Sequence, residues 1–230
     1  IHIIINNYKI DGVDYFHLPD KIKCNSISLD MLFICIPNDV VLFYKKIFLK
    51  SNILINQIIC SSYVKSINYK DNLDLNGHVS FIDIGFNKTS IISSFNDKVL
   101  FLDVLPIGGN HITKDISKIL KIDLEQSEQI KLNIDKEHKL SNDGDFLLDK
   151  LQKIIFARTE EILELCTKSI KSNPFILDNF KMVLTGNGSK ILDNQHNDKI
   201  FFSNTIDFLE ETTEDICQSG FKYGLDPNKQ

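Results

Sequence analysis

Apolar positions recur along this chain with two periods, and the switches between them outline its elements. Residues 1–5 form a short apolar run that reads as a strand. Tyr8-Lys9-Ile10-Asp11-Gly12 reads as a second strand entering a turn, and residues 27–36 as a longer one. Pro37-Asn38-Asp39 supplies a stop followed by a helix cap. Beyond it, Val40, Val41, Phe43, Tyr44, Ile47 and Phe48 have helical spacing over residues 39–51. Residues 53–59 read as a strand, 61–70 as a short helix and 71–77 as a polar linker. The pattern then changes. Val79-Ser80-Phe81-Ile82 is a strand ending at Asp83-Ile84-Gly85, and residues 89–95 and 99–105 flank a hairpin turn at Asn96-Asp97. Pro106-Ile107-Gly108-Gly109 breaks the chain before a helix with Ile112, Ile116, Ile119 and Leu120 on one face. Residues 124–133 form another helix. The longest covers 145–171, with Phe146, Leu147, Leu151, Ile154, Ile155, Ile162 and Leu165 as its core side. A strand over 181–184 runs into Thr185-Gly186-Asn187-Gly188-Ser189 and a short helix, and residues 205–216 read as helical. The fold class is α/β.

Composition narrows the function classes. A chain of 230 residues fits one large or two modest domains and can bury a core. The net charge of -5 argues against general nucleic-acid binding, because no surplus of cations is available to neutralise phosphates. Heavy use of Ile, Asn and Lys, with Arg158 the single arginine and no tryptophan, reads as pressure toward AT-rich codons. Cys24, Cys35, Cys60, Cys166 and Cys217 form no CxxC pair, so buried free thiols in a reducing cytoplasm are expected and a zinc site is not. No apolar run reaches the roughly 18–20 residues that span a bilayer. A start at Ile1, directly in a strand-like run, suggests a fragment.

Four segments carry candidate chemistry. In Asp83-Ile84-Gly85-Phe86-Asn87-Lys88-Thr89-Ser90 a strand feeds a turn whose backbone N–H groups can hold phosphate oxygens. Gly85 permits close approach, and Asp83 can hold magnesium through water. The alternative is a plain hairpin turn. Gly108 and Gly109 precede a helix, whose first N–H groups can face an anion; the alternative is a tight strand-to-helix connection. Glu128 and Lys131 share a helix face and can bracket a ribose, or form a solvated ion pair. Gly186, Asn187 and Gly188 let a flat base lie against bare backbone, or simply make a loop. The turn is neither GxGxxG nor a Walker loop.

Strand–Asp-x-Gly–hairpin, then Gly-Gly–helix, then a helix with Glu and Lys, then strand–Gly-rich turn is the second-half order of the actin-like ATPases. More specifically, the chain resembles FtsA, the bacterial cell-division branch of that superfamily. Tyr8-Lys9-Ile10-Asp11-Gly12 resembles the entry to the subdomain peculiar to FtsA, and Phe81-Ile82-Asp83-Ile84-Gly85 its second phosphate strand. Leu105-Pro106-Ile107-Gly108-Gly109-Asn110-His111-Ile112-Thr113-Lys114-Asp115-Ile116 is the most specific match. Ser127-Glu128-Gln129-Ile130-Lys131, the Arg158 helix and Val183-Leu184-Thr185-Gly186-Asn187-Gly188 also resemble family segments.

The resemblance implies a partial actin-like (ribonuclease H-like) fold. Residues 1–58 would be the inserted α/β subdomain, 59–76 a connecting helix and linker, 77–120 and 181–230 the ATP-binding subdomain, and 121–180 a small helical subdomain. It implies ATP and Mg2+, with Asp83, Gly85, Thr89, Gly108, Gly109, Glu128, Lys131, Gly186, Asn187 and Gly188 around the nucleotide and Asp83 at the metal. Implied partners are the C-terminal peptide of FtsZ, docked by Arg158, a second copy in a filament, and other divisome proteins through 1–58. It also implies a place on the cytoplasmic face of the inner membrane, reached through a segment absent from this chain, and at most slow ATP turnover. Arg158 stands out because its planar fork suits a peptide carboxylate or carbonyls, with pairing to Glu160 or Glu161 as the alternative.

The chain departs from the family's Gly-Gly-Gly-Thr turn at Phe86, Asn87 and Lys88, has Ser90 where an Asp is frequent, and has Asn187 in place of a glycine. These departures keep a non-nucleotide scaffold and a PilM-like pilus-assembly relative in view. A sugar or acid kinase of the same superfamily would need a carboxylate base for which no candidate is found.

Overall fold

The computed structural model describes residues 2–73, 77–96, 98–140, 146–173, 176, 180–190, 206–209 and 212–225. The chain forms two compact units, Ile1–Leu75 with Phe95–Leu100 and Thr212–Gln230, and Asn76–Ser94 with Phe101–Glu211.

The first unit holds an antiparallel sheet of order β2-β1-β3, made of β1 (His2–Ile10), β2 (Val13–Tyr15) and β3 (Ile27–Ile34). The two strands expected before Gly12 are one. A register shift between Ile5 and Asn7 lets β1 pass through the polar Asn6-Asn7 pair without ending. Helix α1 (Asn38–Lys50) follows Pro37, which makes no side-chain cap bond, and none of its residues is buried. Residues 53–59 join no sheet, contrary to the strand expected there. Their apolar side chains suit a strand, but no strand among the described residues pairs with them. Helix α2 (Ser61–Leu73) packs with the last helix, α6 (Thr213–Leu225).

The second unit is built on a sheet of order β6-β5-β4-β7-β8, from β4 (His78–Ile84), β5 (Thr89–Phe95), β6 (Lys98–Leu105), β7 (Lys181–Thr185) and β8 (Ile206–Phe208). β4, β7 and β8 run parallel. The segment expected to be helical over 205–216 is therefore strand β8 followed by α6. Parallel pairing to β7 outweighs the local pattern there. The short helix expected after Ser189 lies outside the described residues.

Helices α3 (Gly109–Leu120), α4 (Leu124–Leu140) and α5 (Phe146–Lys171) complete this unit. One apolar cluster joins Ile82, Ile84, Met182 and Leu184 of the sheet to Ile162, Leu163, Cys166 and Ile170 of α5. A second joins Ile112 and Ile116 of α3 to Ile134 of α4 and Leu151, Ile154 and Ile155 of α5. Leu147 and Leu165, expected on the core side of α5, are 52% and 38% exposed. The stripe runs instead through Leu163, Cys166 and Ile170, and the Phe146 side chain lies outside the described ones. Cys166 is the one described cysteine that is buried; Cys24, Cys35 and Cys217 are exposed and Cys60 is half-buried, which corrects the expectation of buried thiols. Burial pushes the Cys166 thiol up to about 12. No described helix is long and apolar enough to cross a membrane.

Candidate functional site

Parallel strands β4 and β7 end side by side, with Asp83 in register with Thr185. The loops beyond the carboxyl ends of parallel strands are where α/β sheets form crevices for ligands. Two turns meet there. Gly186 has φ +85°, and a Cβ on it would lie 2.3 Å from Asp83 Oδ1 and 2.7 Å from the Ile84 carbonyl oxygen. A Cβ on Gly188 would lie 2.5 Å from Ile84 Cγ2. The Gly188 N–H donates to the Ile84 carbonyl at 2.9 Å. The Ser189 hydroxyl donates to the Gly186 carbonyl at 2.7 Å. The glycines thus let the second turn lie directly on the Asp83 strand end, while Asn187 between them is exposed.

The turn over residues 85–88 closes on itself through a Gly85 N–H bond to the Lys88 carbonyl at 2.9 Å. Its outer carbonyls face the start of α3. Gly85 O accepts from the Gly109 N–H at 2.9 Å and Phe86 O from the Asn110 N–H at 2.7 Å. The Asn110 amide also donates to Asn87 Oδ1 at 2.9 Å. A Cβ on Gly108 would stand 2.5 Å from Gly85 O, so glycine there allows this docking. His111 Nδ1 accepts from the Gly108 N–H at 3.2 Å. The first N–H groups of α3 are therefore used within the protein. Thr89 is buried and its hydroxyl donates to the Ile107 carbonyl at 2.7 Å.

Beneath the first turn of α3 sits Lys131, 3% exposed. Its ammonium donates to Glu128 Oε2 at 2.6 Å, Thr113 Oγ1 at 2.8 Å and the Gly109 carbonyl at 3.1 Å. Thr113 also donates to Glu128. Glu128 and Lys131 form a partly buried pair tied to α3, not a solvated one. The Phe86 ring centroid is 5.9 Å from Lys131 Nζ. Thr113 was not singled out as a site residue from sequence. Its signal was the spacing of four from Gly109, which places it on the same helix face.

Arg158 lies on α5, away from these turns in sequence. Its Nε and Nη2 donate to both oxygens of Asp115 on α3, at 2.5 and 3.0 Å, and its Nη1 donates to Glu161. The hydrogen bonds to Asp115 hold its guanidinium above the ordinary arginine range.

The family model for "Cell division protein FtsA" matches residues 80–154, the stretch from β4 through α3 and α4 into the first part of α5. The chain is similar in sequence to FtsA. The FtsA of Bacillus subtilis (strain 168) is 31% identical over 109 residues, 41% of this chain and 25% of that protein. The FtsA of Buchnera aphidicola subsp. Schizaphis graminum is 25% identical over 237 residues, 95% of this chain and 54% of that protein. The chain thus spans about half, or less, of the length of these FtsA relatives.

Among solved structures, a PilM–PilN type IV pilus biogenesis complex matches with TM-score 0.64 and 13% identity, over 97% of this chain and 64% of that one. MreB5 of Spiroplasma citri bound to ADP matches with TM-score 0.57 and 14% identity, over 80% and 65%. These likenesses give the fold, which is actin-like α/β.

Proposed function

We propose that this chain is part of an FtsA-type cell-division protein that binds ATP with Mg2+ at the carboxyl ends of β4 and β7. The observation that carries the reading is the interlock of the Asp83-Ile84-Gly85 turn with the Gly186-Asn187-Gly188 turn, beside the Lys131–Glu128 pair. The residues fit such a ligand in chemistry. Asp83 offers a hard oxygen at a strand end. No group of three or more His, Cys, Asp or Glu forms a metal cluster among the described residues. One carboxylate is what magnesium takes from a protein when phosphates and waters fill its other positions. Bound magnesium would neutralise phosphate charge. Gly186 and Gly188 let the turn that would hold the adenosine seat directly on the Asp83 strand end, and Asn187 is exposed. Gly85 and Gly108 shape the phosphate end by close packing, the Gly109 N–H ties α3 to it through Gly85 O, and Thr89 braces it through Ile107.

In this reading the protein polymerises and links FtsZ filaments to the inner membrane from its cytoplasmic face. Residues 1–58 contact other divisome proteins. Arg158 takes the FtsZ C-terminal peptide by exchanging part of its contact with Glu161 for a peptide oxygen. Any ATP turnover in this reading is slow.

Titration with fluorescent ATP and Mg2+ tests the site. Asp83→Ala should weaken binding by about tenfold, the scale of one lost charged contact; equal affinity in both proteins would remove Asp83 from the metal site. For Arg158, unchanged affinity for an FtsZ C-terminal peptide in Arg158→Glu would sink the docking role. A second reading is favoured by the 97% coverage of the PilM-containing structure: a PilM-like scaffold. Binding of neither nucleotide nor FtsZ peptide would favour it.

A further inference from the structure

We propose that Phe86 is the cover over Lys131 and sets how readily the site admits a polyphosphate anion. Phe86 lies in the turn over residues 85–88 and is 55% exposed. An aromatic side chain in so short a turn is not held there by core burial. Its backbone is anchored, because its carbonyl accepts from the Asn110 N–H at 2.7 Å. The anchored residue then carries its ring to 5.9 Å from Lys131 Nζ, within the range of a cation–π contact.

Lys131 explains why that position matters. An ammonium has three N–H donors, and here they meet Glu128, Thr113 and the Gly109 carbonyl. Those acceptors lie on α4 and the first turn of α3. The Phe86 ring comes from the separate β4–β5 turn. Lys131 is a buried cation at the Gly109 start of α3, paired with Glu128, and Phe86 stands over it. An incoming phosphate must move that ring, or exchange with Glu128, before it reaches the ammonium. The first half of the proposal stands on geometry alone; the second rests on the nucleotide reading above.

Two readouts separate the halves. Lysine acetylation followed by mass spectrometry measures access to Lys131, with Lys153 as internal standard because its side chain is 75% exposed. Phe86→Gly and Phe86→Ala should raise the Lys131 rate relative to Lys153 by about three- to fivefold, the size of one partly exposed cation–π contact. Phe86→Tyr, which keeps the ring, should label like the original protein. Equal Lys131 rates in the original and both small-residue variants would overturn the cover. Titration with mant-ATP and Mg2+ should show a similar gain in affinity for Phe86→Gly. Faster labelling without that gain would overturn the gating role. Faster labelling with no mant-ATP binding to any variant would support the cover and overturn the nucleotide reading.

Discussion

At the scale of single residues, the site depends on where a Cβ cannot go. Gly186 combines a left-handed backbone with contact against Asp83 and Ile84, whereas Gly12 has nearly the same φ, +86°, and nothing within 4 Å of its missing Cβ. The two positions separate backbone strain from packing. Gly12→Ala should cost about 1 kcal/mol, the backbone penalty alone. Gly186→Ala should cost about 2 kcal/mol or more, because the Asp83 strand end must also shift. Urea unfolding of both variants checks this, and equal costs would mean the interlock contributes nothing. The glycines themselves were readable in sequence. Their partner was not, since Asp83 and Gly186 are about a hundred residues apart in the chain and meet only because β4 and β7 pair in parallel.

At the scale of elements, α3 is the piece on which the site is assembled. Its start receives the turn over residues 85–88, its first turn covers Lys131, and its far side is clasped to α5 by Asp115 and Arg158. The clasp is bidentate, and a Lys at 158 cannot reproduce the fork. Arg158→Lys should therefore lower stability by about 1 kcal/mol, a modest figure because the pair is partly solvated. In the double variant with Asp115→Ala, the further loss from Arg158→Lys should be small. Additive losses in that cycle would show that Arg158 acts without Asp115. The helical period of α3 and α5 was legible from Ile112, Ile116, Leu151 and Ile155. The outward position of Leu165 was not, because a stripe only becomes a core side once the sheet lies against Leu163 and Cys166.

At the scale of the whole molecule, the first unit gathers parts far apart in sequence. His2 of β1 is buried against Tyr63 of α2 and Tyr223 of α6, with ring centroids at 4.9 and 5.6 Å. Its Nε2 accepts from the Cys60 N–H at 2.9 Å, which requires that nitrogen to be unprotonated. Burial lowers the His2 pKa from 6.5. The unfolded chain then binds the proton more readily than the folded one. The contribution of neutral His2 is complete above 6.5 and is lost as pH falls from there through the lower folded value. Urea unfolding between pH 8 and 5 should show the original protein losing more stability than His2→Gln below 6.5. Parallel curves would show that His2 does not titrate between the two states.

Periodicity by itself determined the α/β class, the strand–turn–hairpin at Asp83, the helices after Gly109 and Leu124, and the order of the glycine turns, because these follow from residues close in sequence. Particular motif residues, above all the run from Leu105 to Ile116, carried the likeness to FtsA. Tertiary structure decided the rest. It made β1 one strand by a bulge, left residues 53–59 without a partner strand, and turned Ile206–Phe208 into β8. It also occupied the N–H groups of Gly109 and Asn110, buried Lys131 and brought Phe86 over it. Each of these is a choice of partner. A side chain's pattern states what it can pair with, and only the packed fold selects which of those partners arrives.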